Sequence, residues 1–546
     1  MSLVFGQECR MRFSKLSVLV SVCVLLLCLL PTSVGAAPGQ LDPTYGLGGK
    51  VTTRAFGVSG DAAVQVDGKV VIAGDNVSRL KLNGDFDPNF GTGGTVGAGL
   101  FTNALVIQPN GKIVLTGWKT ISGISSFAIT RLNGNGSTDS QFGGGTVVTI
   151  RFLPFNSNDR IQDVALQPDG KIVVAGEVDS NRLFAIARFN EDGSLDTTFG
   201  NGGKVTVDMG LHYENAEAVV IQPNLKIVVA GTVAESIDPH ANNNFGLLRL
   251  NSDGQLDETF GVDGIVYTDL AGDYDFANTL AIQPDGKLIA AGYAYRVDAQ
   301  RAHFALVRYY PDGSLDAGFG DTGIALTDFS NGAALRDIVL QSDGRIIAAG
   351  HGNVLNPQSG NDFVVIRYNA NGRVDTSFGN LGTVITDFGT AYDISTAIVL
   401  QPDGKVVVAG QYLARYLTAE TKAPVLQTQA NSNRALAFDS VTFVGDPFPI
   451  TNEHNFSADK RTRVMMFVTN LTLSSGESFS AVTVQAQNAA GGVYQLPVEF
   501  VGEVPGLEWL TQVVIKLPDV LANAGDIRVT LTLHHETSNQ GVINIK

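Results

Sequence analysis

Seven arginines, Arg79, Arg131, Arg188, Arg249, Arg308, Arg367 and Arg415, have the spacing that most clearly implies chemistry. An aspartate stands eight residues after each of the first six: Asp87, Asp139, Asp196, Asp257, Asp316 and Asp375. A guanidinium and a carboxylate at fixed spacing make charge-assisted hydrogen bonds rather than covalent chemistry. In the strand-like run around Arg188, Phe184, Ile186 and Arg188 share one face, and Ala185, Ala187 and Phe189 share the other. Both faces are apolar enough to be covered, and a covered guanidinium needs a partner. The spacing therefore predicts structural ion pairs, within repeats or between neighbours. A ring of ligand-binding arginines is the functional alternative. It is disfavoured because the residue recurs identically, whereas ligand sites break repeat symmetry. Arg415 has no such sequel; its missing half stands near the other end, as Leu41-Asp42-Pro43-Thr44-Tyr45-Gly46.

Other chemistry is weaker. Asn190–Asp196 and Asn251–Asp257 have the Asn-x-Asp-Gly-x-x-Asp spacing of part of a calcium loop. No closing acid follows, and Tyr310 replaces the first ligand in another copy, so the stretch reads as a turn; calcium stays open and no other cofactor is expected. The adjacent His534 and His535 would point to opposite faces of a strand, which opposes a shared metal. His212, His240, His303 and His351 follow four different strands and read as surface-loop residues. There is no nucleophile elbow, phosphate-binding loop or metalloprotease helix. No catalytic residue is assigned. Trp509 reads as core, and Trp118 fits either core or a binding role.

The arginines alternate with a second motif, LQPDGKIVVAG at Leu166–Gly176, which recurs seven times. Its closing glycines are Gly74, Gly117, Gly176, Gly231, Gly292, Gly350 and Gly410. Pro-Asp-Gly between two apolar runs is hairpin chemistry. Four short strands fill each repeat; in the unit ending at Arg249 they are Gly203–Val207, Ala218–Gln222, Lys226–Gly231 and Phe245–Leu250. A period of 43 to 61 residues marks a repeat architecture. The complementary deficits at the two ends predict a closed ring, with Asp42 beside Arg415. The expected fold is all-β: a seven-bladed β-propeller over 37–417, a linker at 418–424 and a β-sandwich over 425–546.

The loops between blade Gly and Arg lengthen in three consecutive units, at Thr232–Asn244, Tyr293–His303 and His351–Asp362. Insertions on one face of a repeat array often build its binding surface. His240, Asn242, Tyr293, Tyr295, Arg296, Asp298, Arg301, His303, His351 and Asn361 are the candidate ligand contacts, and suit a glycan or a protein. Drift in tolerant surface loops explains the same pattern.

The chain has 546 residues and a formal charge of −16, which opposes nucleic acid and anionic membranes as partners. Residues 1–36 read as a secretory signal, with Arg10, Arg12 and Lys15 before the apolar run Leu16–Leu30 and Val34-Gly35-Ala36 at the cleavage site. No span is expected after cleavage, although an uncleaved anchor stays open. All three cysteines lie in that leader, so the exported chain must be held by packing alone.

The alternation of QPDGK-[IV]-[IVL]-x-[AT]-G with R-[FLY]-x-x-[DN]-G-x-x-D-x-x-F-G resembles the delta-sixty repeat of secreted bacterial proteins, over roughly 41–417. The resemblance implies a propeller-like array and supplies no catalytic residues. Pro505-Gly506-Leu507, Leu510–Val513, Ala524-Gly525-Asp526 and Ser538-Asn539 are similar to an immunoglobulin-like module of secreted bacterial repeat proteins, which implies attachment or spacing. The expected function is a secreted or surface-attached monomeric binding scaffold, without enzymatic activity. The alternative is an enzyme of lactonase, glycosidase or lyase type at the channel mouth.

Overall fold

A computed structural model describes residues 37–52, 60–153, 159–178, 183–234, 242–270, 274–296, 300–353, 360–390 and 392–418. Toward the C-terminus it describes 425–426, 437–439, 448–449, 451, 459–469, 471, 473, 478–504, 507–533, 536–538 and 540–546. The signal at 1–36, His240, Asp298, His534 and His535 lie outside these residues. Among the described residues no helix is long and apolar enough to cross a membrane. The chain divides into a compact unit of Pro38–Ala419 and a second that contains Glu420–Lys546.

The first unit is all-β, with propeller-like four-stranded sheets. In the third sheet the strands Arg160–Leu166, Ile172–Val178, Leu183–Phe189 and Lys204–Val207 pair antiparallel in chain order. The same order recurs from Asp61–Val64 onward, so we number the sheets one to seven along the chain. Sheets four and five are joined by a single parallel bridge between Asn243 and Tyr274. The seventh takes its outer strand from the start of the chain: Lys50 pairs with Ala414 and Val51 with Leu413.

The strand phase differs from the sequence expectation. Lys204–Val207 pairs with Leu183–Phe189 and so closes the third sheet rather than opening the fourth. The arginine strand is therefore third of four. Every strand of the repeat is apolar, so its text can be cut at several points with equal plausibility; hydrogen bonding fixes the cut.

Each neighbouring pair of sheets shares one apolar cluster. Phe184 and Ile186 of the third pack with Ala216 and Val229 of the fourth. Tyr45, Val51 and Leu80 likewise pack with Val399 and Leu413, joining the first sheet to the seventh. Both faces of the middle strands are buried, as stacked sheets require.

The inner strand of sheets two to seven carries a β-bulge at one recurring position, between Thr102 and Ala104, Ile161 and Asp163, Ala216 and Ala218, Ala277 and Thr279, Leu335 and Asp337, and Ser395 and Ala397. The bulge explains the recurring glycine of the next strand. A Cβ on Gly176 would collide with the Arg160 carbonyl oxygen, and one on Gly292 with that of Phe276.

In the second unit, one sheet contains Arg463–Thr469, Val498–Val504 and Leu507–Lys516; the other contains Thr483–Gln487, Gly525–Leu533 and Gly541–Ile545. Val464, Val513 and Ile515 meet Val484, Val529 and Ile543 in one core. Ile527, Val529, Leu531 and Leu533 are buried and alternate with more exposed neighbours, as the period-two pattern requires. Trp509 lies in a strand.

Candidate functional site

The seven arginines each meet an aspartate. The shortest nitrogen–oxygen distances run from 2.6 to 2.9 Å, for Arg79–Asp87, Arg131–Asp139, Arg188–Asp196, Arg249–Asp257, Arg308–Asp316, Arg367–Asp375 and Arg415–Asp42. All fourteen residues are buried. The lysine of the hairpin motif joins the same carboxylate, as Lys226 does at Asp257 (2.5 Å) and Lys405 at Asp42 (3.1 Å). The guanidinium also covers the following aromatic ring, 4.5 Å from Phe199 in the third repeat and 4.4 Å from Tyr45 at the junction of the chain ends. Its Nη1 donates to a backbone carbonyl in the next sheet: Arg188 to Ser252, Arg308 to Ala370 and Arg415 to Leu82. At Asp139 burial works against ionisation and is outweighed by hydrogen bonds from Lys112, the Gln141 amide and Arg131, which leave it at about 2. Each of these charges is thus paired within its own repeat unit or across the chain ends.

The turns with calcium-like spacing are likewise occupied. Asp192 accepts from the Ser194 amide and hydroxyl, and Asp196 accepts from Arg188 and the Thr198 amide. Elsewhere Asp362, Asp387 and Asp393 each bring a carboxylate oxygen within 4.8 Å of the others, a spacing that suits a metal ion. Two of them also cap turns: Asp393 accepts from the Phe388 amide at 2.7 Å and Asp387 from the Gly389 amide. Asp275 and Glu214 cap the matching turns of other sheets.

The groups that differ from sheet to sheet lie at the centre. The bulges place Asn103, Gln162, Glu217, Asn278, Arg336 and Thr396 around one cavity of about 410 Å³, with Gly60 at the matching point of the first sheet. Volumes of this order suit small polar ligands. Asn103 donates to the Ile161 carbonyl at 2.9 Å and to the Gln162 side chain at 2.7 Å. Asn278 donates to the Leu335 carbonyl at 2.6 Å, and Asn215 to the Glu217 carboxyl at 2.6 Å.

Beside the bulges, Asp61, Asp163 and Asp337 line the same cavity. Each accepts one amide hydrogen from its own strand and one from the next sheet, at Leu105, Val219 and Ile398 respectively. They clamp sheet one to two, three to four and six to seven. Burial pushes Asp61 up to about 8, Asp163 to about 7 and Asp337 to about 6, in each case against these hydrogen bonds. Burial, then the charge of Glu177, pushes Glu217 up to about 8, while Arg336 pulls it down.

A second layer precedes the bulges on the inner strands. It is formed by the residue after each blade glycine and its partner on the inner strand. Phe101 stacks on Trp118 at 5.1 Å, with Arg160 over the indole at 5.0 Å and 4.0 Å from Glu177. Phe276 stacks on Tyr293 at 4.8 Å, and Arg336 lies over the Tyr293 ring at 5.9 Å. Burial and then Arg336 hold His351 down at about 4, and its Nδ1 lies 3.2 Å from the Ser395 carbonyl oxygen.

The predicted loop contacts therefore separate. Tyr293, Tyr295, Arg296, Arg301 and His303 are not loop residues but lie on the strands Leu288–Arg296 and Arg301–Tyr309, because the hairpin continues past the blade glycine. His351 likewise lies on a strand, Ile346–Gly352, and is buried rather than at the surface. Tyr293 and His351 adjoin Arg336. Arg301 and His303 instead reach Asp328, at 3.0 and 3.4 Å. Tyr295 stacks on Tyr274, and Arg296 pairs with Arg301 at the hairpin end. Asn242 is exposed with φ 53°, and Asn361 bridges Tyr392. Sequence reasoning missed the bulge residues. The signal was present: they stand 14 residues before each blade glycine, as Gly60, Asn103, Gln162, Glu217, Asn278, Arg336 and Thr396.

The cavity acids and the paired acids have opposite pH dependences. A carboxyl raised in the folded state holds a proton that the unfolded chain loses at about pH 4, so stability falls as pH rises from about 4 through 8. The lowered aspartates stabilise above about pH 4 and lose that contribution as pH falls toward 2. The melting temperature should peak near pH 5 and fall by on the order of 5 °C by pH 9. Glu217→Gln, which keeps the Asn215 contact, should flatten the alkaline limb. Thermal melts across pH decide it; a melting temperature that climbs from pH 5 to pH 9 would contradict the assignment.

The family described as "Domain of unknown function (DUF5122) beta-propeller" matches five segments of the chain, 108–142, 167–199, 222–260, 283–319 and 341–378. Each runs from the glutamine of the hairpin motif to the phenylalanine under the arginine, and so contains one complete arginine–aspartate pair. The match supports a β-propeller-like fold for this central region. No curated protein matches the chain.

Proposed function

We propose that residues 38–418 form a closed seven-bladed propeller that serves as a binding scaffold, and that its ligand enters the central cavity. The observation that carries the reading is the contrast between two sets of residues. The arginine–aspartate pairs repeat unchanged and satisfy one another. The bulge position changes chemistry in nearly every sheet and turns amide, carboxyl, guanidinium and hydroxyl groups onto one space. Binding residues are held on rigid strands there, as precise recognition requires. The apolar cluster between sheets one and seven, and the strand that residues 50–51 add to sheet seven, support the closure.

We further propose that the chain is exported, with 1–36 as its signal, and that the C-terminal unit is an immunoglobulin-like sandwich used for attachment. The ligand is a glycan terminus or a small polar molecule. A second reading, an enzyme of glycosidase, lactonase or lyase type, has one feature behind it: Glu217 lines the cavity and burial pushes its carboxyl up to about 8, the direction a general acid needs.

The test is a glycan and small-molecule array probed with the full chain and with Thr396→Trp, which fills the cavity. The expected result is at least a tenfold loss of binding with an unchanged melting temperature, roughly the effect of blocking a site. Unchanged binding would remove the cavity from the reading. Conversion of an array hit to product would favour the enzyme.

A further inference from the structure

Arg336 differs from the seven repeat arginines. It makes no hydrogen bond or ion pair within 4.0 Å to any described residue, yet it lines the cavity. Its contacts are the Tyr293 ring, at 5.9 Å, and longer-range fields from Glu217 and His351. Its neighbour Asp337 is engaged elsewhere, by the Ile338 and Ile398 amides and the Thr279 hydroxyl. Glu217 stands two sheets away, and the bulge of the sheet between holds Asn278 in the gap. The strands thus keep the cation and the acid facing one space without letting them close into a pair. A partly buried guanidinium without an anion is a costly arrangement, and a carboxylate is the group its planar fork matches.

The other groups limit what else that anion carries. The Asn278 amide nitrogen donates to the Leu335 carbonyl, and its side-chain oxygen is an acceptor. Gln162 accepts from Asn103 through its oxygen, which leaves its amide hydrogens as donors. Glu217 can donate or accept. Mixed neutral donors and acceptors match hydroxyl groups. Asp163 and Asp337 repel a dianion such as a phosphate ester.

We infer that the central cavity takes a sugar acid: a hydroxylated ring with one carboxylate, which Arg336 pairs with while Gln162, Glu217 and Asn278 take hydroxyls. The inference rests on the cavity reading above and names its ligand class.

The experiment is calorimetric titration of the full chain with galacturonate, glucuronate, galactose and glucose, each against the parent and Arg336→Gln. A uronate should bind about tenfold tighter than its parent aldose, the effect of one charge-assisted pair. Arg336→Gln should reduce that ratio to within about twofold and leave aldose binding unchanged; Arg336→Lys should restore part of it. Aldose binding without a carboxylate preference would overturn the sugar-acid inference and leave the cavity reading standing. So would a preference that survives in Arg336→Gln. Binding that Thr396→Trp does not displace would overturn the cavity reading itself. Binding of none of the four sugars would also overturn the inference.

Discussion

A chain lacking residues 38–52 should melt about 15 °C below the parent, or fail to fold. Three losses combine. Arg415 keeps its buried place but loses Asp42, and a stranded buried charge typically costs about 3–5 kcal/mol. Tyr45 is fully buried beneath that guanidinium, and removing a large aromatic from a core costs about 3–5 kcal/mol. The pairing of Lys50 and Val51 with Ala414 and Leu413 disappears as well, which leaves an open strand edge. At roughly 2 °C per kcal/mol for a unit of this size, the sum is a double-digit shift. The opened ring should also be prone to association through its bare edge. Scanning calorimetry and light scattering would show both. A truncated chain that melts within two or three degrees of the parent would mean that the joint carries no load, and the proposed closure would fall.

Arg249→Ala should have one of the largest effects of any single substitution. It strands Asp257 among apolar clusters, removes the cation over Phe260 and breaks the hydrogen bond to the Pro311 carbonyl of the next sheet. The expected cost is about 3–5 kcal/mol, read as a fall of about 6–10 °C. Lys226 still reaches Asp257, so the loss should stop short of unfolding. Arg249→Lys should fall between, since an ammonium cannot serve the carboxylate and the distant carbonyl together. Arg301→Ala is the control: its pair with Asp328 is partly exposed, and such pairs contribute about 0–1 kcal/mol. Equal melting temperatures for Arg249→Ala and Arg301→Ala would contradict the distinction between buried and surface pairs.

Particular residues show why some of this was legible and some was not. The arginine and its aspartate stand at one spacing in six repeats, and a carboxylate is the partner that a covered guanidinium demands. Residues 41–46 complete Arg415 by the same logic. The limits of each sheet were not legible, since apolar strands in a continuous array carry no mark of where one unit stops. The hairpin from Tyr293 to His303 looked like a loop because it exceeds the shortest copy. In fact its strands run on, with Tyr293 opposite Phe276 and Tyr295 opposite Tyr274. The bulges left no trace in composition, for one extra residue shifts the alternation without changing which residue types are present. Only the changing column at Asn103, Gln162, Glu217, Asn278, Arg336 and Thr396, set against an otherwise repeating text, could have disclosed the axis.

The hydrogen bond from each arginine to the next sheet ends on a backbone carbonyl, and this has a consequence for descent. The accepting residues are Gly134, Glu191, Ser252, Pro311, Ala370, Thr418 and Leu82. Their side chains have nothing in common, and none is needed, because every residue offers the same oxygen. A copy can therefore be duplicated, deleted or exchanged by recombination and still fit whichever neighbour it meets. The joint behaves as a universal connector, and if the ring closes as proposed, a gene permuted to begin at any of these turns should encode the same assembly. Freed from the task of recognising one another, the copies can diverge singly at the axis. Chemical diversity there accumulates with compensation only where two such side chains touch, as Asn103 and Gln162 do.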